Sequence, residues 1–391
     1  MSTVLRQTNA MLIDAYRELA AGKLFWITLG LSSLVVGIFA CLGIDEEGMT
    51  FLWFRLNFIP ITSETLPPDL MYKQMFLSFG VPLWLGWVAT ILALVSTAGI
   101  IPNFISGGSI DLSLAKPIGR IRLFLTRYLS GLVFVALQVG AFSFACFILI
   151  GIRGGDWQPR VLLAIPIVLL FFSYLFSVCA LLGLITRSAI ASLLLTALFW
   201  IMLIILNRGD ESVGALKVQA QMLAERREER VANAELMADN RLKQMAEAGE
   251  DLPPREEWAP GITTEQEAAN PLLVTLRQQR DKTQGTVRSL KAWHHAIVIA
   301  KFPLPKTIET LHLMDRVLLS KADYEALMNT GETKEIPTAF GQDETIDQRE
   351  YQRRFTEAQL MRSTTKILGT SIGFEVVMLG ICCFIFARRD F

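Results

Sequence analysis

Residues 104–128 form a short polar segment between two long apolar segments, and they are the best candidates for contact with another protein. Four cations lie in this segment: Lys116, Arg120, Arg122 and Arg127. Pro117 cannot continue a helix and Gly119 permits a turn, so a short helix followed by a basic turn is predicted. Such a compact projection can seat in a groove of a partner protein. The alternative is a loop whose cations only orient the chain in a membrane.

Two polar side chains interrupt apolar segments that are long enough to cross a bilayer. Glu375 lies eight residues into the last of these segments, 367–387. An acid in hydrocarbon is costly, so Glu375 is a functional candidate, facing a substrate path or forming a protonatable site. The alternative is a position near the outer interface, facing a partner helix or water. Gln138 is more simply explained as a hydrogen-bond partner between helices.

The sequence contains no recognisable catalytic constellation. It has no Gly-x-x-x-x-Gly-Lys-(Ser/Thr) motif, and no serine–histidine, cysteine–histidine or paired-carboxylate arrangement. The adjacent His294 and His295 point about 100° apart on a helix, which disfavours a shared metal. Acidic and basic residues are balanced at 37 each and interspersed, which argues against nucleic-acid binding. We therefore expect no catalytic residue, metal or cofactor in this chain.

Apolar residues are concentrated in long runs. The chain is 52% hydrophobic, and about 20 apolar residues in a helix cross a ~30 Å hydrocarbon core. Six runs reach this length: 24–44, 76–101, 123–152, 161–186, 188–206 and 367–387. Backbone polar groups in lipid must bond within their own segment. The sequence therefore predicts an all-α, polytopic membrane protein with six transmembrane helices.

The cations near the helix ends predict that both termini are cytoplasmic and that the protein lies in the plasma (inner) membrane. Ten Lys and Arg residues fall on the side of the termini, and four fall in the short loops on the other side. With an even number of spans, the large region 208–366 lies outside the cytoplasm. If one of the six spans were re-entrant, this region would instead be cytoplasmic.

The region 208–366 is predicted to be a helical extracytoplasmic domain. Two helices with weak apolar stripes are expected to form an antiparallel hairpin with coiled-coil packing. Their stripes are Leu223, Val231, Ala234, Leu242 and Met245, and Leu272, Leu276, Gln279, Thr283, Val287, Leu290, His294 and Ile297. The second helix is expected to start at Asn270 and Pro271 and to end before residues 302–305, which include two prolines.

Three further expectations concern the polar parts of the chain. Residues 306–329 and 344–366 are predicted to form two more helices, the last leading into the sixth span. The charged run 225–230 is expected to be a solvated helix face with ion pairs four residues apart. The N-terminal residues 1–23 are predicted to form an amphipathic helix that lies in the membrane interface.

The loop around Lys116 resembles the cytoplasmic coupling loop of ABC-2 type transporter permeases. In that family a short helix ends in Leu-x-(Ser/Ala)-(Lys/Arg)-Pro-(Ile/Val)-x-Arg, and a basic turn then leads into the third span. Five residues match the motif: Leu114, Lys116, Pro117, Ile118 and Arg120. The resemblance covers roughly 1–207 and 367–391, and the insertion at 208–366 is larger than a typical loop of the family.

The resemblance implies a layout, partners and a function. The expected parts are the interfacial helix 1–23, spans one to five at 24–207 with the coupling loop 102–122, the outer domain 208–366, and the sixth span with a cytoplasmic end at 367–391. By resemblance, two permease subunits, identical or different, pair within the membrane lipid. A separate ABC ATPase subunit docks on the coupling residues, and ATP hydrolysis moves a substrate or transmits force. The outer domain is a candidate surface for an extracytoplasmic protein partner.

The main alternative is a non-transporting membrane scaffold whose outer helical domain recruits partners. A scaffold has no need for a shaped cytoplasmic loop. A channel should show a repeated ring of polar or charged residues on a pore-lining helix, and none stands out in the sequence. Co-purification of an ATPase subunit discriminates best between the permease and the scaffold.

The six-span topology predicts that Ser109 and Ser212 lie on opposite sides of the membrane. Single cysteines at these two positions, in a background without the five native cysteines, should react with a membrane-impermeant reagent from opposite sides. Labelling of both cysteines from the same side would contradict the topology.

Overall fold

The structure, a computed structural model, describes Ile13, Arg17 and residues 22–55, 62–63, 65–106, 119–329 and 335–388. It is about 80% helical. In this part of the chain six helices are long and apolar enough to cross a membrane: Lys23–Cys41, Pro68–Ile105, Arg120–Arg153, Pro159–Thr186, Ala189–Ala248 and Thr364–Arg388. The predicted number of apolar helices is confirmed, and they indicate a multi-pass membrane protein. The predicted N-terminal helix lies outside the described residues, apart from the exposed Ile13 and Arg17.

The first part of the chain contains two apolar spans and a small sheet. In order, its elements are α1 Lys23–Cys41, β1 Leu42–Asp45, β2 Gly48–Phe51, β3 Phe54–Arg55, α2 Pro68–Met75, a π-helical stretch Phe76–Ala89, α3 Thr90–Thr97 and α4 Ile100–Ser106. The three strands form an antiparallel sheet in chain order, with Leu42 opposite Phe51. This sheet was not predicted, because Leu42, Gly43 and Ile44 read as the end of the first apolar run. Gly48 has φ 134°, a conformation that favours glycine and lets the chain reverse.

The second part of the chain contains the other four spans and the polar insertion. Its helices are α5 Arg120–Arg153, a 3₁₀ turn Pro159–Leu163, α6 Ala164–Thr186, α7 Ala189–Ala248, a 3₁₀ turn Arg255–Glu257, α8 Glu265–Ala269, α9 Leu272–Lys301, α10 Thr307–Leu311, α11 Leu313–Leu318, α12 Lys321–Asn329, α13 Gln348–Leu360 and α14 Thr364–Arg388. A hairpin of β4 Glu335–Thr338 and β5 Gly341–Asp347 precedes α13.

Several predicted boundaries differ from the observed ones. The helix expected from Ala220 is the continuation of the fifth span, because α7 runs unbroken over 60 residues. Residues 306–329 form three short helices rather than one. Residues 344–347 belong to a strand, and the break at 361–363 separates α13 from the last span. The start and end predicted for the second hairpin helix are confirmed to within two residues by α9.

The second span contains a long stretch of wide π-helical turns around Pro82. Proline lacks the backbone N–H and clashes with the preceding turn of an α-helix, so a departure from α-geometry is expected there. Gly86, four residues later, lies against α10. A side-chain carbon at Gly86 would come within 2.9 Å of a methyl group of Leu311. Glycine at this position therefore permits the close approach of α10 to the span.

The chain divides into two compact units. The bundle unit comprises Met1–Ile205, Lys301–Thr330 and Arg362–Phe391, and the hairpin unit comprises Leu206–Ala300 and Gly331–Met361. Residues 301–330 were predicted to belong to the domain 208–366, but they group with the spans. The reason is burial on the bundle, since Thr307, Thr310 and Met314 of α10 and α11 are fully buried.

The core of the bundle unit is built around α6. This helix is apolar on all sides, which is typical of a helix surrounded by others, and it packs against α5, α14, α4 and α10. Fully buried aromatic rings fill the contacts, among them Phe142, Phe171, Phe172 and Phe176. The result is a rigid centre that fixes the positions of side chains on α5 and α14.

The hairpin unit confirms the predicted antiparallel pair of helices. Ala234 and Ala238 of α7 form a small buried cluster with Leu273 of α9. Toward one end of the pair Asn270 binds the Ala234 carbonyl, and toward the other His294 lies 3.4 Å from Asp210. One stripe position is shifted, because the expected Leu272 is 59% exposed and its neighbour Leu273 is fully buried.

The charged run 225–230 forms the expected solvated face only in part: Glu228, Glu229 and Arg230 are exposed, but the first three side chains contact other elements. The Arg227 guanidinium pairs with Glu344 of β5 at 2.7 Å, and it also donates to the Gln279 carbonyl of α9 at 2.8 Å. Arg226 donates to the Thr345 carbonyl at 2.6 Å, and Glu225 pairs with a residue of α13, Arg354, at 2.6 Å. These side chains therefore join α7 to three other elements.

Replacing Arg227 by alanine should destabilise the hairpin unit strongly. The substitution leaves Glu344 mostly buried without its cation, and breaking such a pair costs about 3–5 kcal/mol. Hydrogen exchange of the backbone amides in α9 measures the loss. The matched control is Arg280→Ala, which removes a pair with the largely exposed Asp281 and should cost no more than about 1 kcal/mol. Equal exchange in the two variants would show that Arg227 does not hold the unit together.

A capping box fixes α8 beside the hairpin. Thr264 accepts from the Glu267 amide, and the Glu267 carboxylate accepts from the Thr264 amide. Glu267 also accepts from the Thr263 amide at 2.8 Å and pairs with Arg277 at 2.7 Å. Burial disfavours the charged carboxylate, but the hydrogen bonds from Thr263, Arg277 and Thr264 outweigh it and lower the pKa of Glu267 to about 2.

This pKa predicts a loss of stability in acid. Because the folded-state pKa lies below the ordinary value of 4.5, the contribution is fully present above pH 4.5 and is lost as the pH falls toward 2. A shift of this size corresponds to about 3 kcal/mol. Thermal unfolding of Glu267→Gln should show a lower midpoint near neutral pH and a weaker dependence on acid than the parent chain. An unchanged acid dependence would contradict the assignment.

Candidate functional site

The start of the third span is attached to the end of the sixth. Arg120, the first residue of α5, donates from Nη1 to the Ala387 carbonyl in the last turn of α14 at 3.3 Å. The last carbonyls of a helix lack partners within the helix and attract cations. Arg120 is the one member of the predicted coupling set that the structure describes. Leu114, Lys116, Pro117 and Ile118 lie outside the described residues.

Both described flanks of the loop are held on the bundle. On the upstream flank Pro102 of α4 packs against α6, so closely that a side-chain carbon at Gly183 would come within 3.0 Å of it. The guanidinium of Arg127 lies 4.7 Å from the centre of the Phe104 ring. A displacement of the loop would therefore act directly on α4, α5 and α14.

Glu375 lies in a polar cluster formed by three spans. The Tyr128 hydroxyl of α5 is 3.0 Å from Oε1 of Glu375, and the Ser173 hydroxyl of α6 is 2.9 Å from Oε2. Tyr128 and Ser173 are buried, and the Tyr128 ring stacks on Phe176 with centroids 4.9 Å apart. Packing therefore aims both hydroxyls at the carboxyl.

Glu375 lies nearer the middle of its helix than the sequence analysis assumed. The prediction took the last span to begin at Ile367, but α14 begins at Thr364 and ends at Arg388. Glu375 is therefore close to the middle of the helix. A carboxyl at this depth needs the partners that Tyr128 and Ser173 provide.

Gln138 belongs to a separate place in the bundle. Its side chain is buried, and its amide nitrogen has no hydrogen-bond partner among the described residues, contrary to the expected bond between helices. It borders a small cavity with Thr28, Ser32 and Thr90, and none of the residues described as lining this cavity belongs to α14. The cavity has about 10 Å³ of space for a water-sized sphere, which is close to the need of one water molecule.

A buried ionic cluster at the start of α10 was not predicted. The Lys301 ammonium pairs with Oε1 of Glu309 at 2.6 Å, and both side chains are at most 10% exposed. Arg362 reaches the same oxygen at 3.3 Å. The Lys306 amide donates to the Ser371 hydroxyl at 2.9 Å, and burial lowers the pKa of the Lys306 amine. One feature of the sequence could have indicated this cluster. Spacings of three and four residues separate Thr307, Thr310, Leu311 and Met314, a pattern typical of the buried face of a short helix, and this helix follows two prolines.

A second buried cation, Lys73, was also missed. It pairs with Asp69 at 3.1 Å and with Asp156 at 2.9 Å, and it is nearly inaccessible to solvent. Hydrogen bonds from Gln158 and Lys73 lower the pKa of Asp156. This cluster ties the start of the second span to the end of the third.

The histidines do not form a metal centre in the described part of the chain. His294 lies beside Asp210, and His312 lies 2.8 Å from Asp315. No group of three or more histidine, cysteine, aspartate or glutamate side chains among the described residues is arranged to hold a metal ion. The described side chains that could do chemistry in the membrane are thus those around Glu375.

No family model, no curated protein and no solved structure matches this chain. The likeness to ABC-2 permeases therefore depends on the residues of the loop and on the arrangement of the spans.

Proposed function

We propose that the chain is the permease subunit of an ABC-2 type transporter, which moves a substrate or transmits force across the plasma membrane. ATP is hydrolysed by a separate ATPase subunit, and a second permease subunit, identical or different, completes the transporter. In this proposal both termini and the coupling loop 102–122 are cytoplasmic, and the hairpin unit is extracytoplasmic.

The observation that carries the proposal is the position of the coupling motif. The motif Leu114-x-Lys116-Pro117-Ile118-x-Arg120 joins the second and third spans, and Arg120 is bound to the end of the sixth. An ATPase that pushes on this loop would act on two spans at once. These are also the helices that contribute Tyr128 and Glu375 to the polar cluster.

The cations at the helix ends support the proposed orientation. Lys23, Arg120, Arg187 and Arg388 lie at ends of the spans that belong to one side of an alternating bundle. A cytoplasmic position for this side follows the positive-inside rule. It also gives an ATPase access to the loop.

The scaffold alternative makes different predictions. A scaffold would retain its partners on the hairpin unit and would not co-purify with an ATPase. Purification of the full chain from its native membrane, followed by identification of bound ATPase subunits, separates the two functions.

Replacing Leu114 by aspartate should uncouple the ATPase and leave membrane insertion intact, because the residue lies outside every span. The loss of one large apolar contact is worth about 1.5–3 kcal/mol, which weakens a modest interface about 10- to 100-fold. The measurement is recovery of the ATPase with tagged permease, normalised to the permease in the membrane.

The matched control is Leu112→Asp. It introduces the same charge two residues earlier, and on a helix this position faces away from Leu114. We expect Leu112→Asp to retain most of the ATPase. Unchanged recovery and unchanged ATP-dependent activity in Leu114→Asp would mean that this loop is not the coupling site.

A further inference from the structure

The hydrogen bonds around Glu375 can accommodate either charge state of its carboxyl. The Tyr128 hydroxyl lies 3.0 Å from Oε1 of Glu375 and 3.0 Å from the Ser173 carbonyl. The Ser173 hydroxyl lies 2.9 Å from Oε2 and 2.8 Å from the Leu170 carbonyl. Each hydroxyl has one proton and two acceptors within reach, so each can turn between Glu375 and the backbone.

These choices make two complete hydrogen-bond patterns. When Glu375 is a carboxylate, both hydroxyls donate to it. When Glu375 binds a proton, its own O–H donates to one hydroxyl oxygen, and that hydroxyl turns its proton to its backbone carbonyl. Neither pattern leaves the carboxyl without a partner. The cost of moving between the two states is therefore small compared with that of an acid in plain hydrocarbon.

A further buried hydroxyl, that of Tyr174, lies near this cluster. The side chain of Tyr174, one residue after Ser173, is fully buried, and its hydroxyl forms no hydrogen bond of normal geometry with a described residue. This hydroxyl lies close to Thr310 of α10 and Ser371 of α14 and within electrostatic range of Glu375. Ser371 is one helical turn before Glu375 and accepts from the Lys306 amide.

We propose that Glu375 is a proton-exchange site, and that the hydroxyls of Tyr128 and Ser173 stabilise both charge states of its carboxyl. The ligand is a proton. It enters as the carboxylate becomes a carboxylic acid, and it leaves by the reverse step, so no other reactant is needed. The proposal depends only on the bundle unit and not on the proposed coupling to an ATPase.

The groups that surround Glu375 are consistent with a proton as the ligand. The titratable side chains that face it are Tyr128 of α5 and Tyr174 of α6. Cys382, on the same helix, faces Tyr128. The neighbouring α7 contributes Phe199, which stacks on Phe374. The charged groups on α10 and its flanks, Glu309 and Lys306, already have partners in Lys301 and Thr370.

Infrared difference spectroscopy of the full chain in lipid bilayers tests the proposal. Spectra are recorded across the pH range in which the chain stays folded, and the carbonyl band of a protonated carboxyl is followed. We expect a band that titrates in the parent chain and is absent in Glu375→Gln. Tyr128→Phe and Ser173→Ala, which each remove one hydroxyl, should move the midpoint of this titration.

Ser143→Ala is the matched control for Ser173→Ala. Ser143 is also fully buried in a span, and its hydroxyl has no partner among the described residues, so its loss should leave the titration unchanged.

Two results would overturn the proposal. One is a Glu375-dependent band that does not change with pH, and the other is the absence of any band that depends on Glu375. Either result means that the carboxyl is held in one charge state and that the hydroxyls only position it. If Glu375→Gln fails to fold, a midpoint in Tyr128→Phe that equals the midpoint in Ser143→Ala refutes the proposal. Neither outcome affects the ATPase recovery measured with Leu114→Asp.

Discussion

A polar group that is removed from water costs stability unless it finds a partner, and this requirement shapes both units of the protein. In the bundle unit, helices satisfy the backbone of the spans, and Arg120 binds a carbonyl at the end of α14. The same requirement explains the hydroxyls around Glu375. A single acid in the middle of a span is costly, and Tyr128 and Ser173 are held by aromatic packing where their hydroxyls reach it. The polar cluster and the apolar core therefore depend on each other.

The hairpin unit meets this requirement with different residues. Its apolar contacts are few and small, as Ala234 and Ala238 show. Long charged side chains complete the packing, with Arg227 and Arg277 each reaching two other elements. Buried ion pairs give little net stability compared with apolar contacts, but they can fix one register among several. In a hairpin with a weak apolar stripe, these pairs can select the register that the apolar contacts leave open.

Patterns with a short period were readable from the sequence, and contacts between distant residues were not. The six apolar runs, the helical hairpin and the limits of α9 follow from hydropathy, from caps and from prolines that lie within a few residues of each other. The partner of Arg227 is 117 residues away, so the run 225–230 had the appearance of a solvated face. The first apolar position of the α9 stripe was misplaced by one residue because Leu272 and Leu273 are equally apolar. Of the candidate site, Glu375 was recognised by its type and place, but Tyr128 and Ser173 are ordinary residues until the fold brings them together.

The return of residues 301–330 to the bundle changes how the insertion is understood. The predicted layout treats everything between the fifth and sixth spans as one outer domain, 208–366. Instead, Lys301 at the end of α9 and Arg362 just before α14 both bind Glu309, which is in α10. α10 also approaches the second span at Gly86 and has Thr310 beside Tyr174. Lys301 and Arg362 are thus joined through Glu309 of one short buried helix, and this helix belongs to the bundle unit.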